Sequence, residues 1–402
     1  MNREEREPRA DAEAAPTTIR GAGCPDPDAH PISTPHRDAH GVAAPDPDAH
    51  AALLSDWCLE VKEREQVLIG MPVLALPLVR ALYRALLARG AWPLVRLAPS
   101  ELAPDFFRFA RDDQLDGFAP LELIEVRGAD CVLGIDAPAN TRSLQGVDPA
   151  LIARATRASL PVRQARLERR WCGTLWPTSA LAQQAAMDDR EYAAFVAGAL
   201  FLDRPDPTAA WRALSKRQAR IVKRLADARE IHIEAQGTDL RLRVQGRTWI
   251  NSDGRRNMPS GEVFTGPLED SANGTITFGI PSSPRGVDVA ETELTFRDGE
   301  VIAARAQRGD AYLQQALRTD DGARFVGELG IGTNAGIDRA TGSILLDEKM
   351  AGTVHLALGR SYSETGGRNS SALHWDLICD LRAGGRLTAD GEPIVDNGAL
   401  VA

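Results

Sequence analysis

The sequence predicts an α/β protein in which an N-terminal domain with a mostly parallel sheet precedes a β-rich α+β domain. Between about residues 53 and 229, short apolar runs alternate with amphipathic stretches, which is typical of a parallel sheet covered by helices. From about residue 230, short runs of alternating polarity are joined by glycine-containing turns, which favours antiparallel hairpins. We therefore expect a tail at residues 1–52, an α/β domain at residues 53–229 and a second domain at residues 230–402.

The N-terminal segment is of low complexity. It is rich in Ala, Pro, Asp and His, and the hexapeptide PDPDAH occurs at residues 25–30 and again at residues 45–50. This composition offers too little apolar surface to offset the entropy that is lost on ordering. We expect the tail to be disordered, and its Asp/His repeat to bind metal ions weakly at most.

The elements of the first domain follow from apolar runs and from residues that start or end helices. In chain order we predict a strand at Val67–Gly70, a helix at Leu76–Arg89 ended by Gly90, a strand at Pro93–Leu97, an apolar run at Asp130–Asp136, a helix at Asp148–Arg169, a strand at Trp171–Leu175, a helix capped by Thr178 or Ser179, and a helix from Asp206 or Pro207 to about Ala228. This alternation predicts parallel strands joined by helical crossovers.

The second domain begins with two predicted hairpins. The paired runs are Ile231–Ala235 with Leu240–Val244, around the turn residues 237–239, and Glu291–Phe296 with Val301–Ala304, around residues 298–299. Further along the chain, short apolar runs that contain His355 and His374 are predicted to be strands. The second domain should therefore be built mainly from antiparallel strands.

Composition limits the possible classes of function. The net charge of −9 argues against nucleic acid as a main partner, because binding phosphates requires a basic surface. No apolar run reaches the ~18 residues that span a bilayer, and the charged start MNREEREPRADAEAAP has no signal-peptide core. We therefore expect a soluble, cytoplasmic protein without nucleic-acid or membrane partners. The five cysteines are scattered without a CxxC pair, so we expect neither a disulfide framework nor a thiolate zinc site.

The spacing of histidines and carboxylates indicates a metal site in the second domain. His374 and Asp376 lie two residues apart in a predicted strand, so their side chains point to the same face. His355 lies in the preceding predicted strand, whereas four of the seven histidines belong to the tail. His232 is interpreted as a structural residue. His355 or His374 alone could equally be structural, but together, with carboxylates nearby, they favour metal binding.

Two glycine-rich loops each carry a single carboxylate. Glu262 and Glu328 lie among glycine, proline and apolar residues. A carboxylate buried in such surroundings requires a cationic partner, because an uncompensated buried charge is costly. A divalent cation would provide that partner.

The segment around residue 348 adds further candidates. Glu348 is a possible third acidic ligand or a general base, and Lys349 is positioned in sequence to neutralise either Asp347 or Glu348. Tyr362 follows His355 by seven residues, past a glycine. Its phenol is a candidate to reach a reacting carbonyl, or else a packed aromatic side chain.

Four motifs together resemble the aminopeptidase T family of dinuclear metallo-aminopeptidases. They are NMPSGEVFTGP, GELGIGTN, DEKMAGTVHLALG and SALHWD. The similarity extends into the first domain, at residues 67–97 and 172–203, and so covers most of the chain outside the tail. Together the motifs are specific, although no single one would be.

The resemblance implies a site, a cofactor and partners. The family's metal ligands fall on Glu262, Glu328, Glu348, His355, His374 and Asp376, and its active-site tyrosine falls on Tyr362. The implied cofactor is a pair of divalent ions, zinc, cobalt or manganese. The implied partners are a peptide with a free N-terminus and a second copy of the chain. Two departures stand out: the segment between Glu348 and His355 is two residues longer than the common form, and the segment from Tyr362 to His374 is shorter.

The expected reaction is hydrolysis of the N-terminal peptide bond by a water that two metal ions activate. In this mechanism Glu328 bridges the ions, Glu262, His374 and Asp376 surround one of them, His355 with or without Glu348 binds the other, and Tyr362 donates to the oxyanion. Two alternatives remain at this level. One is a mononuclear iron(II) ring-cleaving dioxygenase of related fold, and the other is a non-catalytic peptide-binding relative.

Overall fold

The computed structural model describes residues 45–100 and 102–401, with the backbone alone at residue 285. The helices are α1 (Pro47–Leu53), α2 (Leu76–Ala88), α3 (Leu102–Phe109), α4 (Asp112–Leu115), α5 (Pro120–Gly128), α6 (Pro149–Ala158), α7 (Leu160–Leu167), α8 (Ser179–Gln184), α9 (Asp189–Ala199), α10 (Pro207–Leu225), α11 (Asp310–Ala316) and α12 (Ile344–Asp347).

The strands are β1 (Gln66–Met71), β2 (Trp92–Leu97), β3 (Cys131–Asp136), β4 (Arg170–Leu175), β5 (Glu230–Ala235), β6 (Thr238–Arg243), β7 (Ile250–Ser252), β8 (Asn257–Met258), β9 (Glu262–Thr265), β10 (Asn273–Phe278), β11 (Ala290–Arg297), β12 (Glu300–Arg308), β13 (Val326–Gly332), β14 (Thr353–Gly359), β15 (His374–Asp380), β16 (Arg386–Ala389), β17 (Glu392–Asp396) and β18 (Ala399–Leu400).

The first part of the chain forms a parallel sheet. In the described residues its strand order is β2-β1-β3-β4-β8, and every neighbouring pair is parallel. The three strands predicted up to residue 175 are confirmed as β1, β2 and β4, and the apolar run at Asp130–Asp136 contains β3. Val67, Ile69, Cys131 and Leu133 on the central strands are fully buried, as expected for a sheet that helices cover on both faces.

One predicted helix is wrong as a single element. The predicted helix from Asp148 to Arg169 is two helices, α6 and α7, with Ser159 between them. Pro161 explains the interruption, because it has no backbone N–H to donate and its ring would clash with the carbonyl of Arg157 in a continuous helix.

Residues 230–401 contribute two antiparallel sheets. Their strand orders are β12-β11-β10-β6-β5-β16-β17-β18 and β15-β14-β13-β9-β7. The two sheets share one apolar core, in which Ile233 and Leu240 of the longer sheet and Leu329 and Leu356 of the shorter sheet are fully buried. The shorter sheet therefore has one face packed in this core, and its other face is available for a site.

Both predicted hairpins are confirmed. The first joins β5 to β6 and the second joins β11 to β12, each pair antiparallel. Asp298 and Gly299, at the second turn, have φ angles of 48° and 84°. Two successive left-handed residues are the signature of a type I′ turn, which explains the Asp-Gly sequence.

The start of the folded body differs from the prediction. Residues 47–53 form α1, capped by the Asp46 side chain, and His50 in this helix is fully buried. The end of the predicted tail is therefore corrected, and its residues 1–44 lie outside the described residues. The division of the body near residue 230 stays a prediction; Asn257 and Met258 of β8 pair with β4 across it. Within the described chain, no helix has both the length and the apolar character needed to cross a membrane.

Candidate metal centre

Five of the six candidate ligands lie on four adjacent strands of the shorter antiparallel sheet. Glu262 is on β9, Glu328 on β13, His355 on β14, and His374 and Asp376 on β15. Residues that are opposite each other in a ladder point to the same face of the sheet. The ladders pair Glu328 with Ala357 and Ala357 with Asp376, Gly330 with His355, Gly332 with Glu262, and Gly359 with His374. The five side chains therefore share the face that is turned away from the apolar core.

The neighbours of the ligands on this face are small. Gly330 lies opposite His355, Gly332 opposite Glu262, and Ala357 between Glu328 and Asp376. The glycines of β13 leave room for side chains from neighbouring strands to lie across it. This explains why a single acid stands in a run of glycines in the motif GELGIGTN.

The ligand atoms of the five residues on the sheet fall into two groups that share one residue. In the first, His355 Nε2 is 3.2 Å from Glu262 Oε2 and 3.5 Å from Glu328 Oε1. In the second, His374 Nε2 is 3.6 Å from Glu328 Oε2 and 3.7 Å from Asp376 Oδ2. Within each group the ligand atoms all lie within 4.8 Å of one another. The two oxygens of Glu328 thus face different histidines.

Glu348, the sixth candidate, lies at the C-terminal end of α12 and not on the sheet. It forms a third group of ligand atoms with His355 and Asp376, again within 4.8 Å of one another. The extra residues between Glu348 and His355 therefore do not separate the two side chains. The structure brings all six sequence-predicted ligands into one cluster.

The residues present fit a divalent cation. Glu262 Oε2 and His355 Nε2 are buried and lie 3.2 Å apart without forming a hydrogen bond, and neither atom has a hydrogen-bond partner elsewhere among the described residues. Buried polar atoms are rarely left without a partner, and a cation would supply one to both. Carboxylate oxygens and imidazole nitrogens form a ligand set that suits zinc, manganese and related ions.

A backbone carbonyl orients the imidazole of His374. Its Nδ1 lies 2.8 Å from the carbonyl oxygen of Arg360. With Nδ1–H donating to this oxygen, the unprotonated Nε2 faces Glu328 and Asp376, as a metal ligand requires. The sequence alone gave no signal for this contact, because the orienting group is main-chain.

Lys349 lies inside the carboxylate cluster. Its side chain is 1% exposed, and its Nζ is 3.0 Å from Glu262 Oε1 and in close contact with Glu348. Of the two partners considered from the sequence, Glu348 is therefore the one that it contacts. Its contact with Glu262 was missed, because the two residues are distant in the chain and only the DEK motif drew attention to the lysine.

The charges shift the pKa values of the first group in opposite directions. Burial tends to raise the pKa of Glu262, but the positive charges of Lys349 and His355 outweigh burial and lower it to about 2. Burial tends to lower the pKa of His355, but Glu262 and Glu328 outweigh it and raise this pKa well above its ordinary value. These two groups therefore stabilise each other's charged forms.

The pKa values of two other candidate ligands are raised. Burial, only partly offset by Lys349, raises the pKa of Glu348 to about 7. Burial also raises the pKa of Asp376, despite the charge of His374. A carboxylate whose ionised form is disfavoured in this way gains from a nearby divalent cation.

Tyr362 lies at the open side of the cluster. Its ring contacts the ring of His374 edge to face, with 5.2 Å between centroids, and its side chain is 41% exposed. Burial of the phenol, together with the negative charge of Glu328, raises the pKa of Tyr362 above its ordinary value. A protonated phenol therefore stands beside one group of ligands, on a residue that is partly open to solvent.

His232 is not part of the cluster. It lies on β5, in the longer antiparallel sheet, and its Nε2 is 2.7 Å from Asp239 Oδ1. This hydrogen-bonded contact agrees with the structural interpretation of His232.

Comparisons with known proteins give the family. A model of the family described as thermophilic metalloprotease (M29) matches residues 46–400. The chain is 31% identical over 391 residues to Aminopeptidase 2 of Geobacillus stearothermophilus, with 84% of this chain and 93% of that protein covered. It is 27% identical over 345 residues to Aminopeptidase T of Thermus thermophilus, with 76% and 82% covered.

A solved structure agrees with the architecture. Wild-type AmpT from Thermus thermophilus matches with a TM-score of 0.77 at 24% identity, covering 89% of this chain and 99% of that chain. At this identity the likeness shows the fold, and it confirms the predicted α/β class. The family match favours neither the dioxygenase nor the non-catalytic alternative. Because the family model covers almost the whole described chain, the protein belongs to the thermophilic metalloprotease (M29) family.

Proposed function

We propose that this chain, a metal-dependent aminopeptidase, holds two divalent ions in the cluster and uses them to hydrolyse the N-terminal peptide bond of its substrates. The observation that carries the proposal is that Glu328 belongs to two groups of ligand atoms, one oxygen near His355 and the other near His374. A carboxylate with its two oxygens turned to different histidines is suited to bridge two ions.

The distances favour a particular division of the ligands. Glu262 lies with His355 and not, as the sequence-based mechanism had it, with His374 and Asp376. We assign Glu262, His355 and one oxygen of Glu328 to one ion. His374, Asp376 and the other oxygen of Glu328 would hold the second. Glu348, whose carboxylate lies near both His355 and Asp376, would add a ligand from the side of α12.

When bound, divalent ions act as Lewis acids that polarise the scissile carbonyl and lower the pKa of an attacking water. The residues of the chain orient and complement that chemistry. The Tyr362 phenol, beside His374 and partly exposed, donates a hydrogen bond to the carbonyl oxygen as it gains negative charge. Glu328 is held between the two histidines and fixes the spacing of the two ligand groups.

The identity of the metal, the substrate and the oligomeric state are also proposals. The oxygen and nitrogen ligand set suits zinc, cobalt or manganese. The substrate is a peptide with a free N-terminus, and the active species is a homodimer, as the family resemblance implies. Light scattering on the purified protein would give the molecular mass that checks the dimer.

The test begins with chelator-stripped protein and a panel of aminoacyl p-nitroanilides. Zinc, cobalt, manganese or iron(II) is added back, and chromophore release and bound metal per chain are measured. We expect two equivalents of metal and hydrolysis restored by zinc, cobalt or manganese. Glu328→Gln should lose both, whereas Glu392→Gln, an exposed acid on β17, should keep both. The absence of hydrolysis of any unblocked substrate with any metal would overturn the proposal.

A further inference from the structure

A cavity adjoins the proposed metal cluster. It has a volume of about 270 Å³, and its wall includes His374 and Asp376 from the edge strand β15. Its lining also includes Pro281, in the loop after β10, and Ile344 and Asp347 of α12. A group that enters this cavity therefore meets two proposed ligands, an apolar wall and a further carboxylate.

The carboxylate of Asp347 is held in place by neutral donors. Its Oδ1 accepts hydrogen bonds from the backbone N and the Oγ1 of Thr341, each at 2.7 Å, and its Oδ2 accepts one from the backbone N of Gly342 at 2.8 Å. The residue is 2% exposed. These bonds orient the carboxylate but bring no positive charge to it.

Asp347 differs in this respect from the other buried acids of the described chain. Glu262, Glu328 and Asp376 each have a lysine or histidine nitrogen within 3.7 Å. Asp347 forms no such ion pair with any residue that the structure describes, and its neighbour Lys349 turns to Glu262 and Glu348 instead. A buried carboxylate without a cation is unfavourable, so a cation that enters the cavity would be bound.

We propose that Asp347 binds the protonated α-amine of the substrate's first residue. The inference rests on the proposed aminopeptidase function, because a free N-terminus supplies the ammonium group. With the ammonium on Asp347, the carbonyl carbon of the same residue, two bonds from that nitrogen, would be directed toward the lining residues His374 and Asp376. The first side chain then packs against Ile344 and Pro281. Asp347 thereby selects substrates with a free N-terminus.

The experiment uses two inhibitors that differ only in the amine. Leucine hydroxamate carries the α-amine, and 4-methylpentanehydroxamic acid is the same molecule without it. Inhibition constants for both are measured on metal-loaded wild type and on Asp347→Asn. We expect wild type to prefer the amine-bearing inhibitor by about tenfold or more, since hydrogen bonds to charged groups are strong, and we expect Asp347→Asn to lose that preference. General damage to the site would weaken both inhibitors alike and leave their ratio unchanged.

A matched variant separates the charge from the hydrogen bonds. Thr341→Val removes one donor to Asp347 but keeps the carboxylate, so it should keep the preference for the amine. If Asp347→Asn does not fold, Asp347→Ser leaves space for a water at the three donors and gives the same comparison.

The outcomes distinguish this inference from the proposed function. An active wild type whose amine preference persists in Asp347→Asn would overturn the role of Asp347 and leave the aminopeptidase proposal standing. A wild type that neither hydrolyses unblocked substrates nor prefers the amine-bearing inhibitor would overturn both.

Discussion

Gly330 and His355 are direct partners in the ladder between β13 and β14, and the imidazole lies over the glycine. A Cβ built on Gly330 would be 2.1 Å from His355 Nε2. The φ angle of Gly330 is not in the left-handed region, so its backbone would accept any residue and the restriction comes from the imidazole alone. The glycine is therefore required for the position of His355 beside Glu262 and Glu328.

Replacing Gly330 by alanine should displace the imidazole and weaken metal binding. The new methyl group cannot share space with Nε2, so His355 must turn away from Glu262 and Glu328. We expect about 10- to 100-fold weaker binding of one metal equivalent, the size of effect that a disturbed ligand environment usually has. Calorimetric titration of chelator-stripped protein with zinc measures this change in metal affinity.

Gly134→Ala provides the control. Gly134 also lies in a strand, β3, but a Cβ there would meet no atom within 4 Å among the described residues. We expect this variant to bind metal as the wild type does. Unchanged metal affinity in Gly330→Ala would contradict the role of the glycine and the assignment of His355 as a ligand.

Lys349→Met should destabilise the metal-stripped protein far more than the metal-loaded protein. Without the ammonium group, Glu262 and Glu348 lose a positive charge that lies between them in a buried site. Removing one partner of a buried ion pair typically costs about 3–5 kcal/mol, and bound divalent ions would replace part of the lost charge. Urea denaturation with and without metal measures the two free energies of unfolding.

Lys216→Met serves as the reference, because Lys216 is exposed on α10. This variant should change the free energy of unfolding appreciably neither with metal nor without it. An equal destabilisation of stripped and loaded Lys349→Met would mean that the lysine acts only in packing and not in the charge balance of the cluster.

Tyr362→Phe should lower kcat with little change in KM, folding or bound metal. The ring contacts with His374 and Phe264 would be kept, and only the phenolic donor would be lost. Losing one donor to a developing oxyanion costs about 10²- to 10³-fold in kcat. Steady-state kinetics with an aminoacyl p-nitroanilide, alongside metal analysis, tests this. A rise in KM at unchanged kcat would instead assign Tyr362 to substrate binding.

The sequence predicted the local part of this site well. Short apolar runs identified the strands that carry His355 and His374, and both are confirmed as β14 and β15. The two-residue spacing of His374 and Asp376 was enough to predict a shared face, because side-chain direction in a strand depends only on the local period.

Long-range relations were not predictable from the same patterns. That β9 and β13 lie beside β14, and so bring Glu262 and Glu328 to His355, depends on pairing between distant segments. The family resemblance, and not periodicity, brought these acids together in advance. Helix α5 was also missed. Its apolar residues Leu121 and Ile124 are 62% and 65% exposed, so the helix has no clear buried apolar stripe.

His50 shows how local composition can mislead. It belongs to a PDPDAH repeat that reads as solvated tail, yet it is fully buried in α1. Its Nε2 lies 3.0 Å from Thr174 Oγ1, its ring stacks near Trp176, and its Nδ1 has no hydrogen-bond partner among the described residues. Burial lowers the pKa of His50 from 6.5 to about 3.

This shift predicts that His50 makes the protein less stable in acid. The pKa is lower in the folded than in the unfolded state, so below pH 6.5 the unfolded chain binds more protons at His50. Its stabilising contribution is therefore complete above pH 6.5 and is lost as the pH falls toward 3, by about 1.4 kcal/mol per pH unit. The metal cluster also contains ionisable side chains, so the comparison is between wild type and His50→Gln, both stripped of metal. Urea denaturation at pH 7, 6 and 5 should show a smaller loss of unfolding free energy in His50→Gln, because glutamine takes up no proton. An equal loss of unfolding free energy in the two proteins between pH 7 and pH 5 would mean that His50 is hydrated or already charged in the folded state.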